Sequence, residues 1–181
     1  METEIFRLYR QGCHGIEHAY RVYSIAKEIC LLENINESNS EFLEFCAIFH
    51  DIGRINDGLD DHHGQRSLKV LNDHSYFGLK KFNYPLTHFI IENHCLDDHI
   101  AIDNVHDYYL INKEESIYLF NIFKDSDSLD RVRLFDLDPS YLRLSNSHKL
   151  INFSQELFDS NVDRKMVENV FSTWISSRAE L

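Results

Sequence analysis

The chain has 181 residues, enough for one domain with a sizeable hydrophobic core. Hydrophobic residues make up 43% of the sequence and charged residues 27%, which is typical of a globular protein and not of a disordered one. Acidic residues outnumber basic ones by 30 to 18, so the formal net charge is -12. A surface of that sign repels double-stranded nucleic acid and anionic membranes, and we expect neither as a partner.

The cysteines argue against a zinc ribbon or a disulfide framework, because Cys13, Cys30, Cys46 and Cys95 form no CxxC pair. Cys30 and Cys46 lie in apolar helical patterns, which predicts that both are small core residues. The first residues, METEIFRLYR, lack the apolar core of a signal peptide, and no apolar run is long enough to span a membrane. These features predict a cytoplasmic protein.

Apolar residues recur at three- and four-residue steps in several segments, which predicts amphipathic helices. The first is expected near residues 15–33. A second follows the polar stretch ENINESNSE, where Ser38 or Ser40 can cap it, and is expected to stop at Gly53. Residues 54–63 are polar and contain glycine, so we expect a loop there.

The second half of the chain has the same periodicity. Further helices are predicted at 64–73, from Pro85 to about His94, from Glu114 through 134, at 148–158 and at 162–178. The stretch 95–112 is ambiguous, and Lys80-Lys81 is predicted to lie in a solvated turn. No segment alternates with a period of two. The sequence therefore predicts an all-α fold of one domain, residues 1–181, with a motif-bearing part at about 12–135 and C-terminal helices at about 139–178.

Two His-Asp pairs differ in their surroundings. His106-Asp107 lies in the polar stretch DNVHDYY and is interpreted as solvated surface. His50-Asp51 follows FLEFCAIF and ends a helix that must be mostly buried. Burying an ionised aspartate costs several kcal/mol unless it is paired or coordinates a metal, so Asp51 is a candidate ligand.

Three segments of the chain resemble the HD-domain superfamily of metal-dependent phosphohydrolases. HGIEHAYRVYSIA places His18 on the family's first ligand, and FCAIFHDIGR supplies His50 and Asp51 as the signature pair. FKDSDSLDRVR places Asp127 on the last aspartate ligand. The segments occur in the family's order, each on a predicted helix, over about residues 12–135. The resemblance implies an HD-type helical domain that holds a metal with these four side chains.

The four side chains also make chemical sense as one site. Two imidazoles and two carboxylates suit a divalent Mn, Fe, Mg, Co, Ni or Zn ion better than a metal that prefers thiolates. Four protein ligands leave positions for water on a six-coordinate ion. Bound water becomes more acidic and attacks phosphorus, while the cation offsets charge on the phosphoryl oxygens. We assign Asp51 a catalytic role as well as a ligand role.

Three aspartates crowd the last motif. Asp127 and Asp130 share a helix face at a spacing of three residues, so Asp130 is a candidate catalytic residue that orients a ligand or a water. Asp125 is the alternative to Asp127 as the metal ligand. The family pattern favours Asp127, because it places the ligand directly before a polar residue, a leucine and a second acid.

Two further histidines resemble the additional ligands of dinuclear HD proteins. His63 opens HGQRSLKVL and His94 closes PLTHFIIENH, both at predicted helix ends. They are candidate ligands of a second metal ion or of a substrate phosphate, and the alternative is that both are exposed polar residues. His62 competes with His63 for the role. The histidines that lie in no motif and are expected on the surface are His74, His88, His99 and His148.

Two arginines are candidate substrate-binding residues. Arg54 follows the His50-Asp51 pair directly, and its guanidinium could bind a phosphate through two hydrogen bonds. The alternative for Arg54 is a salt bridge to an acid of the following loop, namely Asp57, Asp60 or Asp61. Arg131 lies close to Asp127 in sequence, whereas Arg133 is expected to form a surface salt bridge.

The leading functional hypothesis is hydrolysis of a phosphomonoester or phosphodiester of a nucleotide or related small molecule, with one metal ion or two. A di-iron oxygenase is the second hypothesis, and it requires both His63 and His94 as ligands. A non-catalytic module with a structural metal is the third. No GxSxG, P-loop or HExxH motif is present. Cys13 beside His14 lacks a third orienting group, so it is not predicted to be a nucleophile.

Overall fold

The computed structural model describes residues 6–10, 12–74 and 84–179, without the side chain of residue 179, and all regular structure in these ranges is helical. The α-helices are α1 (Ile16–Leu32), α2 (Glu37–Phe49), α3 (His63–Asp73), α4 (Tyr84–Asn93), α5 (Asp98–Asp103), α6 (Lys113–Leu129), α7 (Ile151–Asp159) and α8 (Arg164–Ala179). Short 3-10 helices lie at Asn104–Asp107, Asp130–Leu134, Pro139–Tyr141 and Ser147–Leu150. The predicted all-α fold is confirmed. None of the helices described is long and apolar enough to cross a membrane.

The predicted boundaries of α2 were wrong at both ends. Asn36 caps the helix, because its side chain accepts a hydrogen bond from the backbone N–H of Asn39 at 2.9 Å, and Ser38 and Ser40 lie inside the first turns. The helix ends at Phe49 instead of Gly53. The N–H of Gly53 bonds to the hydroxyl of Ser67 at 2.9 Å, so it cannot continue the helical ladder.

Helix α1 is the centre of the packing and contacts α2, α6, α7 and α8. Its apolar face supplies Ile16, Ile25 and Ile29, which are fully buried. Large buried aromatic side chains from the other helices fill the rest of the same core: Phe45, Phe89, Phe120, Phe123 and Phe171. Burial of this apolar surface is the main contribution to stability, and it fixes the helix ends that meet beside α1.

Helices α3 and α4 form a pair that packs tightly against the end of α2, and two glycines permit the contact. A Cβ atom on Gly53 would lie 2.2 Å from the backbone nitrogen of Ser67 in α3. A Cβ atom on Gly64 would lie 2.3 Å from the carbonyl oxygen of Ile91 in α4. Both distances are far below van der Waals contact, so only glycine allows these backbones to approach.

The fold shows the burial of the cysteines and of the histidines that lie outside the motifs. Cys30 and Cys46 are buried, and all four cysteines are free. His106 and Asp107 are exposed, as expected. The surface expectation was wrong for His88, which is half-buried against Tyr84 with ring centroids 4.1 Å apart; burial lowers its pKa. The exposed histidines of that group are His74, His99 and His148. Lys80-Lys81 lies outside the described residues.

Substituting Gly64→Ala should lower the free energy of unfolding by about 2–3 kcal/mol, because the added methyl group must push α3 away from α4. Gly58→Ala is the control, since its nearest neighbour would be a side-chain oxygen of Asn56 at 3.2 Å in an exposed loop. Urea denaturation of both variants measures the difference. Equal stability of the two would contradict the close contact.

Candidate metal centre

The six residues predicted as metal ligands come together beside α1. His18 lies on α1, and His50 and Asp51 follow the end of α2. His63 is the first residue of α3, and His94 directly follows α4. Asp127 lies on α6. The four imidazoles and Asp51 are buried, whereas Asp127 is partly exposed. His62, the alternative to His63, is exposed.

Asp51 divides the four imidazoles into two pairs. Its Oδ2 lies 3.5 Å from Nε2 of His18 and 3.7 Å from Nε2 of His50. Its Oδ1 lies 3.0 Å from Nε2 of His63 and 3.5 Å from Nε2 of His94. Each carboxylate oxygen therefore faces one pair of histidines.

The two pairs are themselves compact. The Nε2 atoms of His18 and His50 are 3.1 Å apart, and those of His63 and His94 are 2.8 Å apart. Asp127 joins the first pair, with its Oδ1 3.4 Å from Nε2 of His18. Donor atoms of His18, His50 and Asp127 lie close enough together to share one ion.

The opposite ring nitrogen of each histidine fixes its tautomer. The Nδ1 atoms contact oxygens that can only accept: His50 with the carbonyl of Ala47, His63 with that of Asp60, His94 with that of Ile91, and His18 with the carboxylate of Asp130. Each Nδ1 must therefore carry the hydrogen. In a neutral imidazole this leaves a lone pair on every Nε2.

The centre consequently has the electronic character of a cation site. Four Nε2 lone pairs point at one another and at the Asp51 carboxylate. Asp51 Oδ1 is buried and accepts no hydrogen bond, since its imidazole neighbours have no proton on Nε2. Acceptors packed at these distances repel one another unless a positive ion lies between them. The residues present thus fit one or two divalent ions with nitrogen and oxygen ligands.

The pKa values agree with this character. Burial holds the pKa of His18 well below its ordinary value and lowers that of His94 to about 4. Burial alone would raise the pKa of Asp127, but the neighbouring His18 and His50 lower it to about 2. At neutral pH His18 and His94 are therefore uncharged and Asp127 is ionised, the forms that bind metal.

Asp130 lies on the far side of His18 from the cluster. It is fully buried and accepts hydrogen bonds from Nδ1 of His18 at 2.7 Å, from Arg21 and from Arg133. Burial raises its pKa, although both arginines act in the opposite direction. Asp130 is not among the residues that line the cavity in front of the cluster. Its position suits orienting His18 as a ligand and not orienting a water.

Asp125, the alternative to Asp127, binds the segment around Arg143 and not the histidines. Its carboxylate is fully buried and accepts hydrogen bonds from the backbone N–H groups of Arg143 and Leu144 at 2.9 Å. The Arg143 guanidinium adds an ion pair at 3.0 Å. Asp125 therefore ties the segment after Pro139–Tyr141 to α6, and Asp127 is the aspartate that joins the histidines.

A cavity of about 470 Å³ opens in front of the cluster, and both candidate substrate-binding arginines line it. Arg54 Nε lies 3.3 Å from Oδ2 of Asp51, and its Nη1 donates to the carbonyl of Gly58 at 3.1 Å. The alternative salt bridges of Arg54 to loop acids do not form. Arg131 is half-exposed and pairs with Asp136.

Two basic residues that the sequence did not assign to the site, Arg133 and Lys124, also line this cavity. Arg133 forms a salt bridge, as expected, but the bridge is buried and does not lie on the surface: the side chain of Arg133 is only 5% exposed and pairs with Asp130 at 3.1 Å. The spacing of three residues from Asp130 was the signal that could have shown this. Lys124 donates to the carbonyls of His94 at 2.9 Å and Leu96 at 2.8 Å, which fixes the turn after α4.

Comparison with known proteins gives one finding. The model of the family described as HD domain matches residues 15–132, which include all six candidate ligands. Neither a curated protein nor a solved structure matches the chain significantly.

Separate substitution of the two aspartates of α6 by asparagine should affect stability in one case and metal binding in the other. Asp125→Asn should destabilise the fold by about 2–4 kcal/mol, because it removes a buried charge that pairs with Arg143. Asp127→Asn should leave stability nearly unchanged but weaken binding of Mn or Ni at least about tenfold. Urea denaturation and equilibrium dialysis measure the two effects. The reverse pattern would make Asp125 the ligand.

Acid should destabilise the metal-free protein between pH 6.5 and about 4. In this window the unfolded chain takes up protons on His18 and His94, whereas burial keeps both folded imidazoles neutral. The unfolded state therefore binds more protons, and stability falls as the pH falls. Urea denaturation of chelator-treated protein across this range measures the slope. His94→Gln should show a smaller slope than the unsubstituted chain.

Proposed function

Since the chain belongs to the HD domain family, we propose that it is a metal-dependent phosphohydrolase that cleaves a phosphomonoester or phosphodiester of a nucleotide or related small molecule. The observation that carries the proposal is Asp51, whose two oxygens face separate pairs of unprotonated imidazole nitrogens. A carboxylate in this position is suited to bridging two cations. A centre of that kind can hold the attacking and leaving oxygens of a phosphoester displacement.

The proposed ligands form two groups that share Asp51. His18, His50, Asp51 and Asp127 would hold the first ion. His63, His94 and the other oxygen of Asp51 would hold the second. A divalent ion supplies acidity to a bound water and neutralises charge on phosphoryl oxygens.

The remaining side chains have roles that follow from their contacts. Asp130 keeps the hydrogen of His18 on Nδ1, so Nε2 stays available as a ligand. Arg54 and Arg131 line the cavity and are proposed to bind the substrate phosphate. A cavity of about 470 Å³ is the size of a small-molecule site and suits a nucleotide rather than a duplex.

A di-iron oxygenase is the second candidate, because one observation favours it. That function needs His63 and His94 beside the same carboxylate as the first pair, and both lie within 3.5 Å of Asp51 Oδ1. Metal analysis of the purified chain, followed by a phosphate-release screen of nucleotides with Mn, Mg, Ni and Co, separates the candidates. Phosphate release supports hydrolysis. Bound iron with a mixed-valent electron paramagnetic resonance signal and no phosphate release supports the oxygenase. A bound metal with neither property indicates a structural metal and contradicts both.

Asp51→Asn should abolish metal-dependent phosphate release and leave the helical circular dichroism spectrum unchanged, because the side chain keeps its size but loses the charge that both histidine pairs face. His62→Gln is the matched control, since His62 is exposed and outside the cluster. Undiminished turnover by Asp51→Asn would remove Asp51 from the mechanism.

Arg54→Ala should lower kcat/KM about a hundredfold, because charge on the phosphoryl group is neutralised more strongly in the transition state. Arg54→Lys should recover part of the lost kcat/KM, since lysine keeps the positive charge but cannot form the bidentate hydrogen bonds of a guanidinium. Steady-state kinetics with a confirmed substrate test both variants. Normal turnover by Arg54→Ala would limit this arginine to its contacts with Asp51 and Gly58.

A further inference from the structure

A second cluster of metal-ligating side chains lies on the wall of the same cavity. Cys13 and His14 precede α1, and Asp57 lies in the loop that follows Arg54. His14 Nδ1 is 3.2 Å from Sγ of Cys13 and 3.0 Å from Oδ1 of Asp57. Asp57 therefore supplies a third polar group beside Cys13 and His14, which is not apparent from the sequence.

The arrangement does not suit a nucleophilic triad. In a triad the imidazole contacts the nucleophile through one nitrogen and the orienting acid through the other. Here the thiol and the carboxylate both contact Nδ1 of His14, so three donor atoms converge on one small volume. This convergence is typical of a metal site.

The segment with Cys13 and His14 lies close to the loop with Asp57, and the local backbone permits this. Gly12 has φ +138°, a backbone conformation that favours glycine, and a Cβ atom there would lie 2.6 Å from Oδ2 of Asp57. On the other side, Arg133 Nε donates to the carbonyl of Cys13 at 2.9 Å. The loop that carries the thiol is therefore anchored to the helix end that carries Arg133, and its glycine leaves room for the carboxylate.

We propose that Cys13 Sγ, His14 Nδ1 and the Asp57 carboxylate form a separate site for a single thiophilic divalent cation such as Zn²⁺ or Co²⁺. Tetrahedral ligands at zinc bond lengths are about 3.3–3.8 Å apart, so the two observed separations need to widen by only a few tenths of an ångström. A thiolate, an imidazole and a carboxylate match the ligand preference of this class of ion.

Binding also balances in protons. Without the ion, the Cys13 thiol and Nδ1 of His14 both face the Asp57 carboxylate, an acceptor, so Nδ1 carries the hydrogen of the neutral imidazole. With the ion, the thiol loses its proton to solvent and the hydrogen of His14 moves from Nδ1 to Nε2. The thiolate and the carboxylate then neutralise the two positive charges of the cation, and one proton is released for each ion bound.

The position of the site gives it access to the cavity. His14 and Asp57 line the same 470 Å³ space as Asp51 and Asp127, and the His14 ring centroid lies 5.6 Å from that of His18. Three protein ligands leave one tetrahedral position open. An anionic group of a molecule held in the cavity can occupy that position, so the site would add a cation to the wall of the cavity that the candidate arginines also line.

Cobalt absorption tests the proposal, because only a thiolate ligand gives an intense thiolate-to-cobalt charge-transfer band in the near ultraviolet. Burial raises the pKa of Cys13, and it likewise raises those of Cys30, Cys46 and Cys95. The metal-free chain therefore gives little thiolate background near neutral pH. Titration of the full chain with Co²⁺ should produce the band with the final intensity of one thiolate-bound ion per chain, and Zn²⁺ should remove it.

Three variants locate the band. Cys13→Ser should abolish the band. Cys95→Ser is the matched control and should retain the band, because Cys95 lies near His63 and His94 and not in the proposed site. Asp51→Asn should also retain it, so the result is independent of the proposed hydrolysis. If Cys13→Ser loses its helical circular dichroism spectrum, His14→Ala replaces it with the same expected loss. Absence of the band from the folded unsubstituted chain, or its loss only in Cys95→Ser, would overturn the proposal.

Discussion

Repulsion between unprotonated imidazole nitrogens is the constraint on which the centre of this protein depends. Four Nε2 atoms and the Asp51 carboxylate occupy a buried volume in which each is an acceptor and none is a donor. Such a set is unfavourable in a largely buried site, because lone pairs at these distances repel one another and no member of the set donates a hydrogen to another. The rest of the fold supplies the apolar burial that holds the acceptors together, in an arrangement that a divalent cation would neutralise.

Helix ends perform much of that positioning. The last carbonyl groups of a helix lack partners within the helix. His50 and His94 each donate Nδ1–H to the carbonyl three residues earlier, that of Ala47 in α2 and that of Ile91 in α4. One contact thus satisfies an orphan carbonyl, fixes the tautomer and aims Nε2 at the cluster. The glycines at positions 53 and 64 then let the end of α2, α3 and α4 approach one another closely.

The parts of this arrangement that sequence could predict are those set by local pattern. Apolar periodicity indicated the helices, and the surroundings of His50-Asp51 distinguished it from the exposed His106-Asp107. The ladder of α2 does not reach Gly53, whose N–H bonds to the hydroxyl of Ser67, a long-range contact that no local pattern reveals. The different partners of Asp125 and Asp127 likewise could not be predicted. Asp125 bonds to the segment that contains Arg143, and this segment contacts α6 only in the folded chain.

The charge balance of the cavity indicates how it can attract an anion in so acidic a protein. Among the described residues that line it, the long basic side chains each face a carboxylate already: Arg54 with Asp51, Arg131 with Asp136, Arg133 with Asp130 and Lys124 with Asp98. Breaking the buried pairs leaves an uncompensated charge and is costly. The exposed pair of Arg131 contributes only about 0–1 kcal/mol, so this arginine can exchange its partner for a phosphate most easily. Bound cations would supply much of the remaining positive potential, so under the proposed function we expect anion binding in this cavity to depend on metal loading.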